Sequence, residues 1–350
     1  MKIIKPTALT TAMVLSSTVP EEVVAAYNGA TTYPLGAQAG ITAGTSQVVY
    51  ESLQAGNTGH TPSAWPTWWR KLGTVYAVYS AGTAYALNDK VTDLANHDLY
   101  QSRIAANTGN ALSDLTKWQY LGKTNRWAKY DNKVGTATVG PSPMTDVLAP
   151  GSTTGAAFFE MVGRVLHVVM KDVTGGTVVY DRTIDLDGTV VEDVFDWFFA
   201  DYEQRSDLVL LDLPGQFPNC ELTHTVTATS GDVACGVCKP GKLIEIGTTT
   251  AGARVGIMDF SGKDRDEFGN LYILEREYSK RGSFEVLTEK ARFNNIFRAL
   301  ASLRATPCIY VGIDDEGFEP LLQYGWFKDF SILVSYPFHH MCSLEIEGLI

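Results

Sequence analysis

The chain has 350 residues, 45% hydrophobic and 19% charged, and 28 Lys+Arg against 39 Asp+Glu leave a formal net charge of −11. This is the composition of a globular protein with a sizeable core, and its acidic balance excludes a face built to neutralise nucleic-acid phosphates or an anionic membrane. No run of about 18 consecutive apolar residues occurs, so membrane insertion by a transmembrane helix is excluded on length.

At the N-terminus, Lys2 and Lys5 precede Ala12-Met13-Val14-Leu15, but Pro6, Thr7, Thr10, Thr11, Ser16, Ser17 and Thr18 keep the stretch polar. Residues 1–26 are therefore expected to form an arm packed on the body, not a cleaved leader. The five cysteines all lie between Cys220 and Cys342, an odd and sparse set that predicts free thiols and synthesis in a reducing cytoplasm.

Residues 27–123 contain an internal repeat. Tyr27, Tyr33 and Leu35 are answered by Tyr79, Tyr85 and Leu87. Tyr50 is answered by Tyr100, Asn57-Thr58-Gly59 by Asn107-Thr108-Gly109, Trp69 by Trp118, and Leu72-Gly73 by Leu121-Gly122. The copies are offset by about 50 residues, so two tandem units are predicted at 27–74 and 75–123. Units this small, without cysteine, need a compact aromatic core, and tyrosine strands punctuated by Asn-Gly, Ala-Gly and Asn-Asp turns predict a three-stranded sheet in each.

Each copy has an opening Tyr, a Thr-x-Tyr, a central tyrosine strand, an Asn-Thr-Gly turn and a Trp before Leu-Gly. In this it resembles the chitin-binding-type modules of chitinases, the family 5/12 carbohydrate-binding fold. The resemblance implies contact with glycan through aromatic rings, on which the apolar C–H face of a sugar stacks. The candidates are Tyr27, Tyr33, Trp65, Trp68, Trp69, Tyr79, Tyr85 and Trp118. Two alternatives stay open: Trp69 and Trp118 as core, leaving Trp65 and Trp68 as the freer rings, and modules that act only as spacers or protein-docking units.

Residues 124–240 read as a β-sandwich. Strand patterns at 162–172 and 177–185 flank Gly175-Gly176, and further strands are predicted at 208–213, 221–229 and 233–238. Val191, Val194, Phe195, Phe198 and Tyr202 fall at helical spacing and predict a short helix crossing the sandwich. Residues 241–350 read as an α+β domain with one main helix over 288–304, capped by Thr288 and stopped by Pro307. The fold class expected is thus mainly β and multidomain: two small three-stranded carbohydrate-binding-like modules, a β-sandwich and a C-terminal α+β domain.

Cys220, His224, Cys235 and Cys238 form a Cys3His set of the kind zinc accepts, set against the alternative of buried small hydrophobes. Asp264, Asp266, Gly269 and Glu275 match part of a calcium loop, but Phe268 occupies a ligand position and a hairpin loop is the better reading. Asp314 to Gly317 reads as a solvated turn, and His339-His340 as structural. No Gly-x-Ser-x-Gly, His-Glu-x-x-His or Walker loop occurs, nothing singles out a carboxylate pair such as Asp193 and Asp196, and neither an enzyme nor a cofactor is expected.

The whole chain resembles bacteriophage and prophage tail proteins that join an N-terminal arm, chitin-binding-like modules and a β-rich body. The residues that carry this are Thr7 to Met13 with Ser16 to Glu21, Thr124 to Trp127, Asp196 to Ala200, Ala228 to Cys238 and Cys342 to Leu349. Members usually carry one module, and this chain has two. The resemblance implies a non-enzymatic virion component of the tail tip, baseplate or tail attachment region, made in the bacterial host cytoplasm. Its partners would be other phage tail proteins, copies of itself in a ring or trimer, and host surface carbohydrate. The alternative from another class is a soluble glycan-processing enzyme with two accessory carbohydrate-binding modules.

Overall fold

The structure is a computed structural model that describes every residue except 190, 202, 266, 315–316, 335–338 and 350. Strands dominate. A ten-stranded antiparallel sheet runs in the order Leu208–Leu210, Gly155–Phe159, Val237–Glu245, Lys2–Pro6, Cys308–Val311, Leu322–Leu333, His339–Gly348, Tyr278–Glu289, Thr248–Thr249, and Arg254–Asp259 also pairs with Tyr278–Glu289. A five-stranded sheet, Val178–Asp185, Val165–Lys171, Glu221–Thr227, Met144–Leu148, Val14–Ser17, packs on one end of it.

Alternation explains the packing. In Val165–Lys171 every second residue is buried, and Leu166, Val168 and Met170 meet Ala156, Phe158, Leu208 and Leu210 of the large sheet in one core. The other end of the large sheet is covered by the helix Phe293–Leu303, whose Ile296, Leu300 and Leu303 pack on Phe284, Val286, Tyr310 and Leu344.

Several expectations are corrected here. The boundary at 240/241 falls inside the strand Val237–Glu245, so residues 124–240 and 241–350 share a sheet. Lys2–Pro6 does more than pack on the body: it is a strand in the middle of that sheet, where Ile3 faces Ile244 on one side and Tyr310 on the other. Local patterning identifies a strand but carries no information on which distant strand it pairs with. The main helix begins later than expected, because Thr288 still belongs to a strand and donates its Oγ1 to the His340 carbonyl, while residues 290–292 form a 3-10 turn. The short helix is Val194–Phe199, capped by Asp193, which accepts from the Phe195 and Asp196 amides. None of its residues is buried, so it does not cross the sandwich, and Tyr202 lies outside the described residues.

Residues 262–274 form a hairpin, Gly262–Arg265 with Leu271–Leu274, turning at Gly269 with φ of 83°, which supports the hairpin reading of the calcium-like stretch; Asp266 lies outside the described residues. Asp315 and Glu316 of the expected turn, Ser335 and Tyr336 at the end of the strand read from sequence over 326–336, and the terminal Ile350 also lie outside them. Among the described residues no helix is long and apolar enough to cross a membrane.

A buried cation ties the large sheet to the segment that follows the second module. Lys239 donates its Nζ to the Tyr130 carbonyl at 2.7 Å and to Asn132 Oδ1 at 3.1 Å, beneath the Tyr324 ring. Burial pushes the ammonium down to about 8, against the attraction of Asp131. Between about pH 8 and its unfolded value of 10.5 the unfolded chain holds a proton that the folded one has released, so this site's contribution to stability rises with pH across that window. The stability of wild type relative to Lys239→Met, from denaturant titrations at pH 7 and pH 10, is expected to shift in favour of wild type at the higher pH. A difference independent of pH contradicts this account.

Candidate functional site

The two repeats fold as separate three-stranded sheets, Gln38–Ala43, Ser46–Ser52, Trp69–Tyr76 and Lys90–Asp93, Asp98–Ser102, Trp118–Lys123. Each is built round the same triad. Tyr27 stacks on Tyr33 at 5.8 Å and both meet the Trp69 ring edge-on, as Tyr79 and Tyr85 meet Trp118. The polar scaffold is duplicated as well. Buried Asn57 donates to Ser52 Oγ and Asn107 to Ser102 Oγ, both at 3.0 Å, and the indole N–H groups of Trp69 and Trp118 donate to the carbonyls of His60 and Asn110.

This geometry divides the eight candidate aromatics. Trp69 (2% exposed) and Trp118 (0%) are core, as are Tyr33 and Tyr85, and no sugar ring reaches a face of any of them. Tyr27 and Tyr79 are half-buried against these cores. For Trp69 and Trp118 this is the core alternative, and Tyr33 and Tyr85 are corrected with them for a simple cause: a unit of under about 50 residues has little else with which to fill its interior.

Trp65 and Trp68 are different. The short turn that follows the Asn57 loop brings them together on the surface, where Trp65 is 47% exposed. His60 stacks face to face on Trp68 at 3.9 Å with 10° between the planes, and Trp65 stands edge-on to His60 at 4.9 Å. The His60 ring is oriented by a 3.0 Å contact from Nδ1 to Asn57 Oδ1, itself part of the buried scaffold. The result is a rigid amphipathic ledge of three rings. Such a ledge fits an apolar, flat ligand face, with the His60 and Trp65 ring nitrogens available for hydrogen bonds.

His60 was not among the sequence candidates. The signal that identifies it is its place in the repeat: the equivalent residue is Asn110, which makes the matching contact to Asn107 Oδ1 at 2.7 Å. Trp68 is matched by Lys117, since the buried asparagines Asn57 and Asn107 donate to the carbonyls of Trp68 and Lys117 respectively. The second module therefore has the core but lacks the ledge.

The Cys3His set makes no metal centre, although Cys235 and Cys238 lie near Asp146, the neighbour of His224. Cys220 Sγ donates to the Gly151 carbonyl and Cys235 Sγ to the Val237 carbonyl, and Cys235 and Cys238 lie on successive strands broken by Gly236. Burial pushes the Cys235 thiol up to about 12 and that of Cys238 well above its ordinary value, the reverse of what a thiolate ligand needs. His224 instead faces Asp146. Burial works against ionisation of Asp146, but the Lys129 ammonium and then His224 outweigh it and hold its carboxyl well below its ordinary value. Among the described residues no group of three or more His, Cys, Asp or Glu side chains is arranged to hold a metal ion.

The chain matches no protein-family model, and no curated protein and no solved structure is significantly similar to it.

Proposed function

We propose that the chain is a non-enzymatic structural component of a phage tail, at the tail tip, baseplate or tail attachment region. Copies of it associate with one another, and the ledge of the first module meets host surface carbohydrate. The observation that carries this reading is the hairpin 262–274. Its strand Leu271–Leu274 is apolar and exposed at every position, on both faces, and Phe268 at its tip is 89% exposed. A lone soluble chain does not keep such a blade in water, whereas an assembly buries it from both sides.

The helix Val194–Phe199 adds Phe195, Trp197, Phe198 and Phe199, all more than half exposed. The large sheet has two open edges, since Leu208–Leu210 and Arg254–Asp259 each have one partner strand among the described residues. Open edges at opposite ends of a sheet suit head-to-tail addition of identical copies, and a ring follows when the rotation closes. In a ring, weak glycan contact per copy gains by multivalency.

Two measurements test the reading. In analytical ultracentrifugation the purified chain is expected to sediment as an oligomer, and Phe268→Ser combined with Tyr272→Ser is expected to reduce it to a monomer. Immunogold labelling of purified particles with antibody against residues 24–122 is expected to mark the end of the tail. A monomeric wild type that is absent from particles overturns the proposal and moves a soluble glycan-processing protein to first place.

A further inference from the structure

The core of the sandwich holds a lysine, a carboxylate and a histidine with no access to water. Lys129 lies in the 3-10 turn 128–130, and its amide is fixed by a 3.1 Å hydrogen bond to Thr138 Oγ1. Its Nζ donates to Asp146 Oδ2, and both side chains are 0% exposed. Asp146 and His224 are direct partners on the paired strands Met144–Leu148 and Glu221–Thr227. His224 Nε2 lies 3.1 Å from that same Asp146 oxygen, and His224 is also 0% exposed. Apart from the Tyr130 ring and its buried hydroxyl, the surroundings are Phe158, the thiols of Cys235 and Cys238, and the core residues Met144 and Leu148.

The polar inventory of this group does not close. Asp146 Oδ1 and His224 Nδ1 have no hydrogen-bond partner. A buried ion pair is tolerated when its remaining lone pairs and protons are satisfied, and here they are not. The arrangement suits a reaction as well as a resting pair: an amine held on a carboxyl group, water excluded, and an imidazole beside the oxygen that would leave.

We propose that Lys129 and Asp146 condense to a side-chain amide, with His224 carrying the proton. Transfer of a proton from the Lys129 ammonium to the Asp146 carboxylate gives the reactive pair, a neutral amine and a neutral acid, in equilibrium with the ion pair that Lys129 and His224 hold at Asp146. The Nζ lone pair then forms a bond to Asp146 Cγ. His224 takes the second proton from Nζ and delivers it to the departing oxygen. The Cγ–Oδ2 bond breaks and one water leaves. Nothing is oxidised or reduced, and no co-reactant is needed. The product replaces two buried charges by one neutral amide.

The bond would join two positions 17 residues apart and fasten the segment that leaves the second module directly to the five-stranded sheet. A load applied to the modules would then reach the body through a covalent link.

Mass spectrometry of the full chain, denatured and unlabelled, decides the matter without any variant. The expected result is a mass one water below that of the linear sequence, and after proteolysis a branched peptide in which the Lys129 fragment is joined to the Asp146 fragment. A chain wholly at the linear mass overturns the proposal, and so does a lost water without the branched peptide, as succinimide formation at Asp187-Gly188 would give. Lys129→Arg is expected at its own linear mass. His224→Gln is expected to form the link several-fold more slowly, seen as a linear fraction in freshly made protein that declines on standing; formation at the wild-type rate removes His224 from the step.

Discussion

Replacing Trp65 and Trp68 together by alanine is expected to lower retention on insoluble chitin by tenfold or more while the protein stays folded. Each ring that stacks on a sugar face contributes about 0.5–1.5 kcal/mol beyond its buried area, and removal of both also strips His60 of its stacking partners. The stability cost should be near 1 kcal/mol, because Trp65 is half in solvent and Trp68 only edges the core. Trp69→Ala provides the contrast. That ring fills the centre of the module and donates to the His60 carbonyl at 2.7 Å, so its loss is expected to cost about 3–5 kcal/mol and unfold the module. Binding isotherms and urea titrations on the same three proteins separate the two effects. Unchanged retention by the double variant removes the ledge as a sugar site. Building the ledge into the second module by Asn110→His with Asp114→Trp and Lys117→Trp would be the complementary gain.

Much of this fold was legible because the chain is patterned locally. The tandem units announce themselves through Tyr27/Tyr79, Asn57/Asn107 and Trp69/Trp118, since a small aromatic core leaves few choices of residue at each place. The period-2 burial of Leu166, Val168 and Met170 was readable for the same reason. What could not be read is which strands pair across long separations. Lys2–Pro6 finds its partners at 241–245 and 309–311, and nothing in its five residues encodes that choice.

The site was legible only in part. The repeat itself separates Trp69 and Trp118, matched in both copies and buried, from Trp65 and Trp68, but aromatic residue type alone does not place Tyr33 and Tyr85 in the core. His60 escaped notice because histidine carries no aromatic signature in a sugar-binding pattern. Its role emerges only when Asn57, Trp65 and Trp68 converge on it in space.

Glu21→Ala is expected to lower stability by about 3 kcal/mol and to free the second module from the body. Glu21 is buried where the N-terminal segment, the second module and the sandwich meet. Its Oε1 accepts from His97 Nδ1 at 2.8 Å and from Thr124 Oγ1 at 2.7 Å, and its Oε2 accepts from Trp127 Nε1 at 3.0 Å. The His97 ring stacks on Trp127 at 3.8 Å, and its Nε2 reaches Thr11 Oγ1 at 2.8 Å. Alanine leaves three buried donors without an acceptor, each at a cost of about 1–3 kcal/mol before relaxation. His97 is also held at φ of 58°, a left-handed conformation that a non-glycine residue keeps only when its surroundings enforce it, so the loop around it should relax once the carboxylate is gone. The urea midpoint should fall, and limited proteolysis should open a new cut between residues 93 and 98, absent from wild type. Glu22→Ala, one residue on and exposed, should change neither. If Glu21→Ala lowers the midpoint but leaves the cleavage pattern as in wild type, the carboxylate stabilises the junction without fixing the module, and the orientation must come from the strand Trp118–Lys123 and the Thr124 amide, which donates to the His97 carbonyl at 2.8 Å.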